Sequence, residues 1–63
     1  MKSLINNLVN GNLSDAKAQA KPYSLFEIAS NVRDSLGYSR NKSIMAAAYL
    51  KGRATFQAYC DAV

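Results

Sequence analysis

The stretch Tyr23-Ser24-Leu25-Phe26-Glu27-Ile28-Ala29-Ser30-Asn31-Val32-Arg33-Asp34-Ser35-Leu36-Gly37 decides the fold class, because both ends of a helix are written into it. Ser24 and Glu27 stand three positions apart as a capping box, in which the serine oxygen accepts from the Glu27 amide and the glutamate reaches back to the Ser24 amide. Tyr23 and Ile28 occupy the two positions of a hydrophobic staple around that cap. Leu25, Ile28, Ala29, Val32 and Leu36 then recur at helical spacing and make one continuous inward face, while Arg33 and Asp34 point elsewhere. Gly37 ends the helix, since a helix terminus commonly needs a left-handed residue that glycine supplies without strain.

The same logic extends outward. After Tyr38, Ser39 caps a further helix running through Ile44-Met45-Ala46-Ala47-Ala48-Tyr49-Leu50 to Lys51, with Gly52 as its stop. Its adjacent alanines let neighbouring backbones approach closely, which places this helix at the centre of the molecule. A last helix, from about Ala54 to Ala62, carries Phe56, Tyr59, Cys60 and Val63 at the i, i+3, i+4, i+7 spacing of an inward stripe. Towards the N-terminus, Leu4, Ile5, Leu8 and Val9 form a stripe on a short helix over 3–10, closed by Asn10-Gly11-Asn12. Asn12 is placed to cap another short helix, with Ser14 and Asp15 in its first turn and Leu13, Ala16 and Ala20 as a thin apolar edge. Pro22 stops it by pushing the preceding residue out of helical geometry. No alternating apolar run supports a strand. The expectation is an all-α, compact bundle of four to five short helices, forming a single helical domain over 1–63.

A chain of 63 residues, 49% of them hydrophobic, holds one small core near the lower limit for independent stability. Ten of the apolar residues are alanines, which bury little area, so stability is expected to be modest and association with a second copy would add to it. One cysteine and no histidine leave neither a disulfide framework nor the ligand set of a zinc, copper or iron site, and point to a reducing compartment. Asn6 and Asn7 interrupt the apolar residues near the start before they reach the length of a signal-peptide core. No stretch approaches the ~18 apolar residues of a membrane span.

Catalysis needs converging reactive groups, and the sequence offers no histidine base, no glycine-rich phosphate loop and four scattered acids. The expectation is a protein that is not an enzyme and takes no cofactor. Cys60, on a stripe with Phe56 and Tyr59, reads as a small buried hydrophobe.

Charge is the more informative feature. The net charge is +4, and the excess lies between Tyr38 and Gln57, where Arg40, Lys42, Lys51 and Arg53 occur without an acid. Cations in the first turn of a helix oppose the partial positive charge of its free amides, so Arg40 and Lys42 stand where stability alone would prefer acids. Two readings follow for Tyr38-Ser39-Arg40-Asn41-Lys42-Ser43: solvated side chains at a tolerant position, or a site for a carboxylate or phosphate of a partner. Tyr23, Tyr38, Tyr49 and Tyr59 similarly fit either a core margin with hydroxyls in water or a stacking surface for bases.

The two helices around Gly37-Tyr38 invite comparison with a helix-turn-helix that would present Arg40, Asn41 and Lys42 to a major groove. The spacing opposes it, because Ala29 lies a full turn too far from Gly37. Leu36-Gly37-Tyr38-Ser39-Arg40 and Leu50-Lys51-Gly52 resemble in outline the loops of a three-helix ubiquitin-associated domain. More of the chain is similar to small accessory proteins encoded by bacteriophages and prophages of enteric bacteria. That likeness rests on Asn7-Leu8-Val9-Asn10-Gly11-Asn12-Leu13-Ser14-Asp15-Ala16-Lys17, Gly37-Tyr38-Ser39, Ala47-Ala48-Tyr49-Leu50-Lys51-Gly52 and Gln57-Ala58-Tyr59-Cys60-Asp61-Ala62. It implies a product acting in the bacterial cytoplasm by binding a host protein and altering it.

The reading that results is a helical interaction protein whose surface, made of Tyr38, Arg40, Asn41, Lys42, Tyr49, Lys51 and Arg53, docks on an acidic patch of a host protein. In it the cations steer encounter and an exposed Tyr38 or Tyr49 anchors the complex. The alternative is a nucleic-acid-binding module using the same basic residues on phosphates. Neither reading involves a membrane, and a homodimer is compatible with both.

Overall fold

The capping box is formed: the Glu27 amide donates to Ser24 Oγ at 3.2 Å and the Ser24 amide donates to Glu27 Oε1 at 3.0 Å. In the computed structural model, which describes all of residues 1–63, this cap opens the third of five helices in a chain without strands. The helices are α1 (Lys2–Val9), α2 (Leu13–Ala20), α3 (Leu25–Leu36), α4 (Arg40–Leu50) and α5 (Phe56–Asp61). Gly37 closes α3 in the left-handed region at φ 68°, its amide donating to the Arg33 carbonyl at 2.9 Å. Ser39 Oγ accepts from the Lys42 amide at 3.1 Å and so starts α4 as its sequence implies.

Two helix starts differ from expectation. Asn12 precedes α2, but its side chain does not cap the helix; Asn12 Nδ2 donates instead to Asn7 Oδ1 at 3.4 Å. The last helix begins at Phe56 rather than near Ala54, because Thr55 Oγ1 accepts from the Ala58 amide at 3.0 Å and sets the boundary.

All five helices contribute to one core. Leu4, Ile5 and Leu8 come from α1, Ala16 and Ala20 from α2, Ile28, Ala29 and Val32 from α3, Ala46, Ala47, Tyr49 and Leu50 from α4, and Tyr59 from α5. Helix α1 therefore docks on the main body, where Asn7 Nδ2 donates to Gln19 Oε1 and Gln19 Nε2 donates to Ser3 Oγ, both at 2.9 Å. Helix α4 is central and packs against α2, α3 and α5. Its Ala46 and Ala47, like Ala16 and Ala20 of α2, are fully inaccessible, so small side chains bring the backbones together as their sequence suggests. Burying a large aliphatic side chain such as Leu4 or Ile28 contributes about 1.5–3 kcal/mol, and few of that size are available here.

Two inward stripes are narrower than expected. Val9 faces solvent. Of Phe56, Tyr59, Cys60 and Val63, only Tyr59 is buried, while Cys60 is exposed and Val63 is 92% exposed. The reason is length: α5 has six residues, fewer than two turns, and offers α4 only the side centred on Tyr59. Cys60 is turned about 100° away from it, and Val63 lies beyond the helix, where helical spacing no longer applies. No helix is long and apolar enough to cross a membrane.

Candidate functional site

The basic residues of α4 do not form one surface. Lys42 Nζ turns to the end of α5 and donates to the carbonyl oxygens of Tyr59, Cys60 and Ala62 at 3.4, 3.4 and 3.3 Å. It also lies 5.2 Å from the Tyr59 ring centroid and 5.5 Å from that of Tyr38. Lys51 Nζ turns to the end of α2, donating to the carbonyls of Tyr23 at 2.8 Å and of Ala20 and Lys21 at 3.3 Å. The last carbonyls of a helix lack an intrahelical i+4 amide partner and carry its partial negative charge, so two lysines near such ends are drawn inward. Both were expected to face a partner. Both instead hold the fold together, while still adding to its overall positive field.

Tyr49 is likewise removed from the surface. It is 6% exposed and stacks on Tyr59 with ring centroids 6.0 Å apart and planes 12° from parallel. Phe56 tilts against it at 5.3 Å, and Lys17 Nζ covers its ring at 4.4 Å. The turn after α4 folds α5 back across this tyrosine, which sequence spacing alone did not reveal. Tyr38 is half-buried; its hydroxyl lies 3.0 Å from that of Tyr59. Burial and this hydrogen bond push the Tyr59 hydroxyl well above its ordinary ionisation range.

Arg40, Asn41 and Arg53 remain exposed, with Asn41 Nδ2 donating to the Val63 carbonyl at 3.4 Å. Arg40 opens α4 and Arg53 follows its end, so the length of the helix, about 16 Å, separates them. They are two ends and not a patch.

What the structure does assemble is a groove of about 200 Å³ between α3 and α4, with Phe26, Arg33 and Asp34 on one side and Arg40, Ser43 and Ile44 on the other. Phe26 is 74% exposed, the largest apolar side chain on the surface to be so open. Ser43 is 2% exposed and its hydroxyl has no hydrogen-bond partner. Buried hydroxyls are ordinarily satisfied, and an orphan costs about 1–3 kcal/mol. Ser43 lies in the stretch 38–43 that the sequence offers as an anion site, whereas Phe26 and Arg33 lie outside every sequence-based candidate. A signal existed: Phe26, Ser30 and Arg33 recur at i, i+4, i+7 on the ridge of α3 beside the apolar face, and Arg40, Ser43 and Ile44 match it on α4.

A larger groove, about 690 Å³, runs between α1 and α3 past Ile5, Asn6, Val9, Asn31 and Leu36. Lys2 is its only ionisable side chain, beside the polar Asn6, Asn10, Asn31 and Ser35, and it contains no orphaned buried polar atom. No three cysteine or acidic side chains converge as a metal site would require. The α3–α4 groove brings together two guanidinium forks, one carboxylate, one buried hydroxyl and an open aromatic face. No family model, no curated protein and no solved structure matches this chain.

Proposed function

We propose that the chain is a small, non-catalytic helical interaction protein that binds an acidic surface of a protein partner. The observation that carries this reading is the state of its arginines. Arg33, Arg40 and Arg53 are exposed, whereas Lys42 and Lys51 are held by backbone carbonyls. Arginine is enriched at interfaces because its planar fork binds carboxylates in two places and sheds water readily. A net charge of +4 would speed encounter with an acidic partner. The likeness to phage and prophage accessory proteins adds the setting: the bacterial cytoplasm, with a host protein as the partner to be modulated.

The test is affinity capture from a bacterial lysate, followed by titration of the purified captured protein against the wild type and Arg33→Glu/Arg40→Glu/Arg53→Glu. The reading requires an acidic captured protein whose affinity falls at least tenfold in the variant. Unchanged affinity would overturn it. So would tight binding of duplex DNA with a log–log salt slope near −3.6, the value for about four phosphate contacts.

A further inference from the structure

The groove between α3 and α4 has a ligand chemistry that can be read more closely, resting on the interaction role proposed above. We propose that it receives one carboxylate of an acidic peptide segment, held between Arg33 and Arg40 with the Ser43 hydroxyl as a further donor, while a neighbouring apolar side chain of that segment lies on Phe26.

Three independent observations converge on it. The first is Ser43, whose buried hydroxyl lacks any partner within the fold although it lines the groove. A hydroxyl in that state has a hydrogen bond to give, and an acceptor arriving in the groove would take it. The second is charge. Two guanidiniums against the single carboxylate of Asp34 leave the groove one positive charge, which a single carboxylate neutralises. A nucleic-acid backbone, with one charge per ~1.7 Å of duplex, would set several phosphates along the same groove and one of them against Asp34. The third is Phe26, open to solvent on the ridge of α3 that carries Arg33. An exposed aromatic beside arginines is the pairing that dominates protein interfaces.

The geometry also sets a spacing. Phe26 and Arg33 are seven residues apart on one helix, about 10 Å along its axis, which an extended peptide covers in about three residues. Side chains of an extended segment alternate between its two faces, so the segment that fits carries its apolar side chain an even number of positions from its acid, and about four positions span the distance.

The experiment is amide NMR of the full 15N-labelled chain, titrated with a capped hexapeptide holding one leucine and one glutamate four positions apart. Its glutamine analogue, inorganic phosphate and a short oligonucleotide serve as comparison probes. Shifts are expected at Phe26, Arg33, Arg40 and Ser43, with affinity falling about tenfold for the glutamine peptide and about as much for Arg33→Gln/Arg40→Gln. Ser43→Ala supplies a readout that a packing role would not move: the variant is expected to melt at a higher temperature, relieved of its orphan, yet to bind the peptide several-fold more weakly.

Unaltered binding in Ser43→Ala, equal affinity for the glutamine peptide, or stronger shifts with phosphate or the oligonucleotide would each overturn the proposal. Shifts of the same amides on concentrating the protein alone would assign the groove to a second copy and overturn it too. A captured acidic protein that ignores Arg33→Gln/Arg40→Gln but is lost with Arg53→Glu would remove the groove while leaving the interaction role intact.

Discussion

The ammonium nitrogen of Lys51 lies 2.8 Å from the carbonyl oxygen of Tyr23, 28 positions earlier in the chain, and so ties the end of α4 to the end of α2. Two more carbonyls, of Ala20 and Lys21, accept from the same nitrogen. Replacing Lys51 by Met keeps the stem and removes all three bonds. The expected loss is about 1–2 kcal/mol. For a domain of this size each kcal/mol lowers the melting temperature by roughly 4–8 °C, within easy reach of circular dichroism. Arg53→Met, two positions on at an exposed site, is expected to change stability by no more than about 0.5 kcal/mol. Equal melting temperatures for the two variants would deny Lys51 its structural role.

Tyr59 gives the alkaline limb of stability. Its hydroxyl is held neutral by burial and by the hydrogen bond with Tyr38, so its ionisation in the fold lies above the ordinary value of 10.0. In the unfolded chain it ionises near that value. The folded form then binds the extra proton, and stability falls as pH rises above 10, by up to about 1.4 kcal/mol per pH unit for one group. Tyrosinate absorbance followed alongside far-UV circular dichroism should show one tyrosine that ionises only as helix is lost. In Tyr59→Phe this contribution to the alkaline slope should disappear.

Glu27 works in the opposite direction. The Ser24 backbone amide, and then the Ser24 side chain, favour its charged form and hold its carboxyl below the ordinary 4.5. Its stabilising effect is therefore present above that pH and is lost as pH falls below it. Glu27→Gln should flatten the acid limb of a melting-temperature profile. Ser24→Ala, which removes the cap itself, should cost about 1 kcal/mol at neutral pH. A profile unchanged by Glu27→Gln would show that the box contributes no pH dependence.

Cys60 stands on the solvent side of α5. It should react to completion with a thiol reagent in the native protein, at the same extent as after unfolding and without loss of helix. A thiol that reacts only in denaturant would mean that α5 turns its other side to α4.

The helices themselves were legible because their determinants are local. A cap reads three residues ahead, a left-handed glycine closes the turn behind it, and an apolar stripe repeats every third or fourth position, so Ser24, Ser39 and Gly37 announced α3 and α4 without reference to the rest of the chain. The limits of this reading fell at α5, where six residues are too few for a stripe to be told from a coincidence of spacing. The surface was less legible still. Lys42, Lys51 and Tyr49 look like exposed groups when each is considered in its own helix, and they are drawn inward only because another helix ends, or folds across, beside them.

What the sequence determined alone, then, was the all-α class, the five helical segments and the alanine-built centre, since each follows from bonds and contacts within a turn or two. The tertiary structure decided which lysines are structural and which arginines are free, that Phe26 stands open, and that Ser43 is buried without a partner. Those outcomes depend on which helix ends and ridges meet. That is settled by packing all five helices into one small core, through contacts between residues such as Lys51 and Tyr23 that lie far apart in the chain.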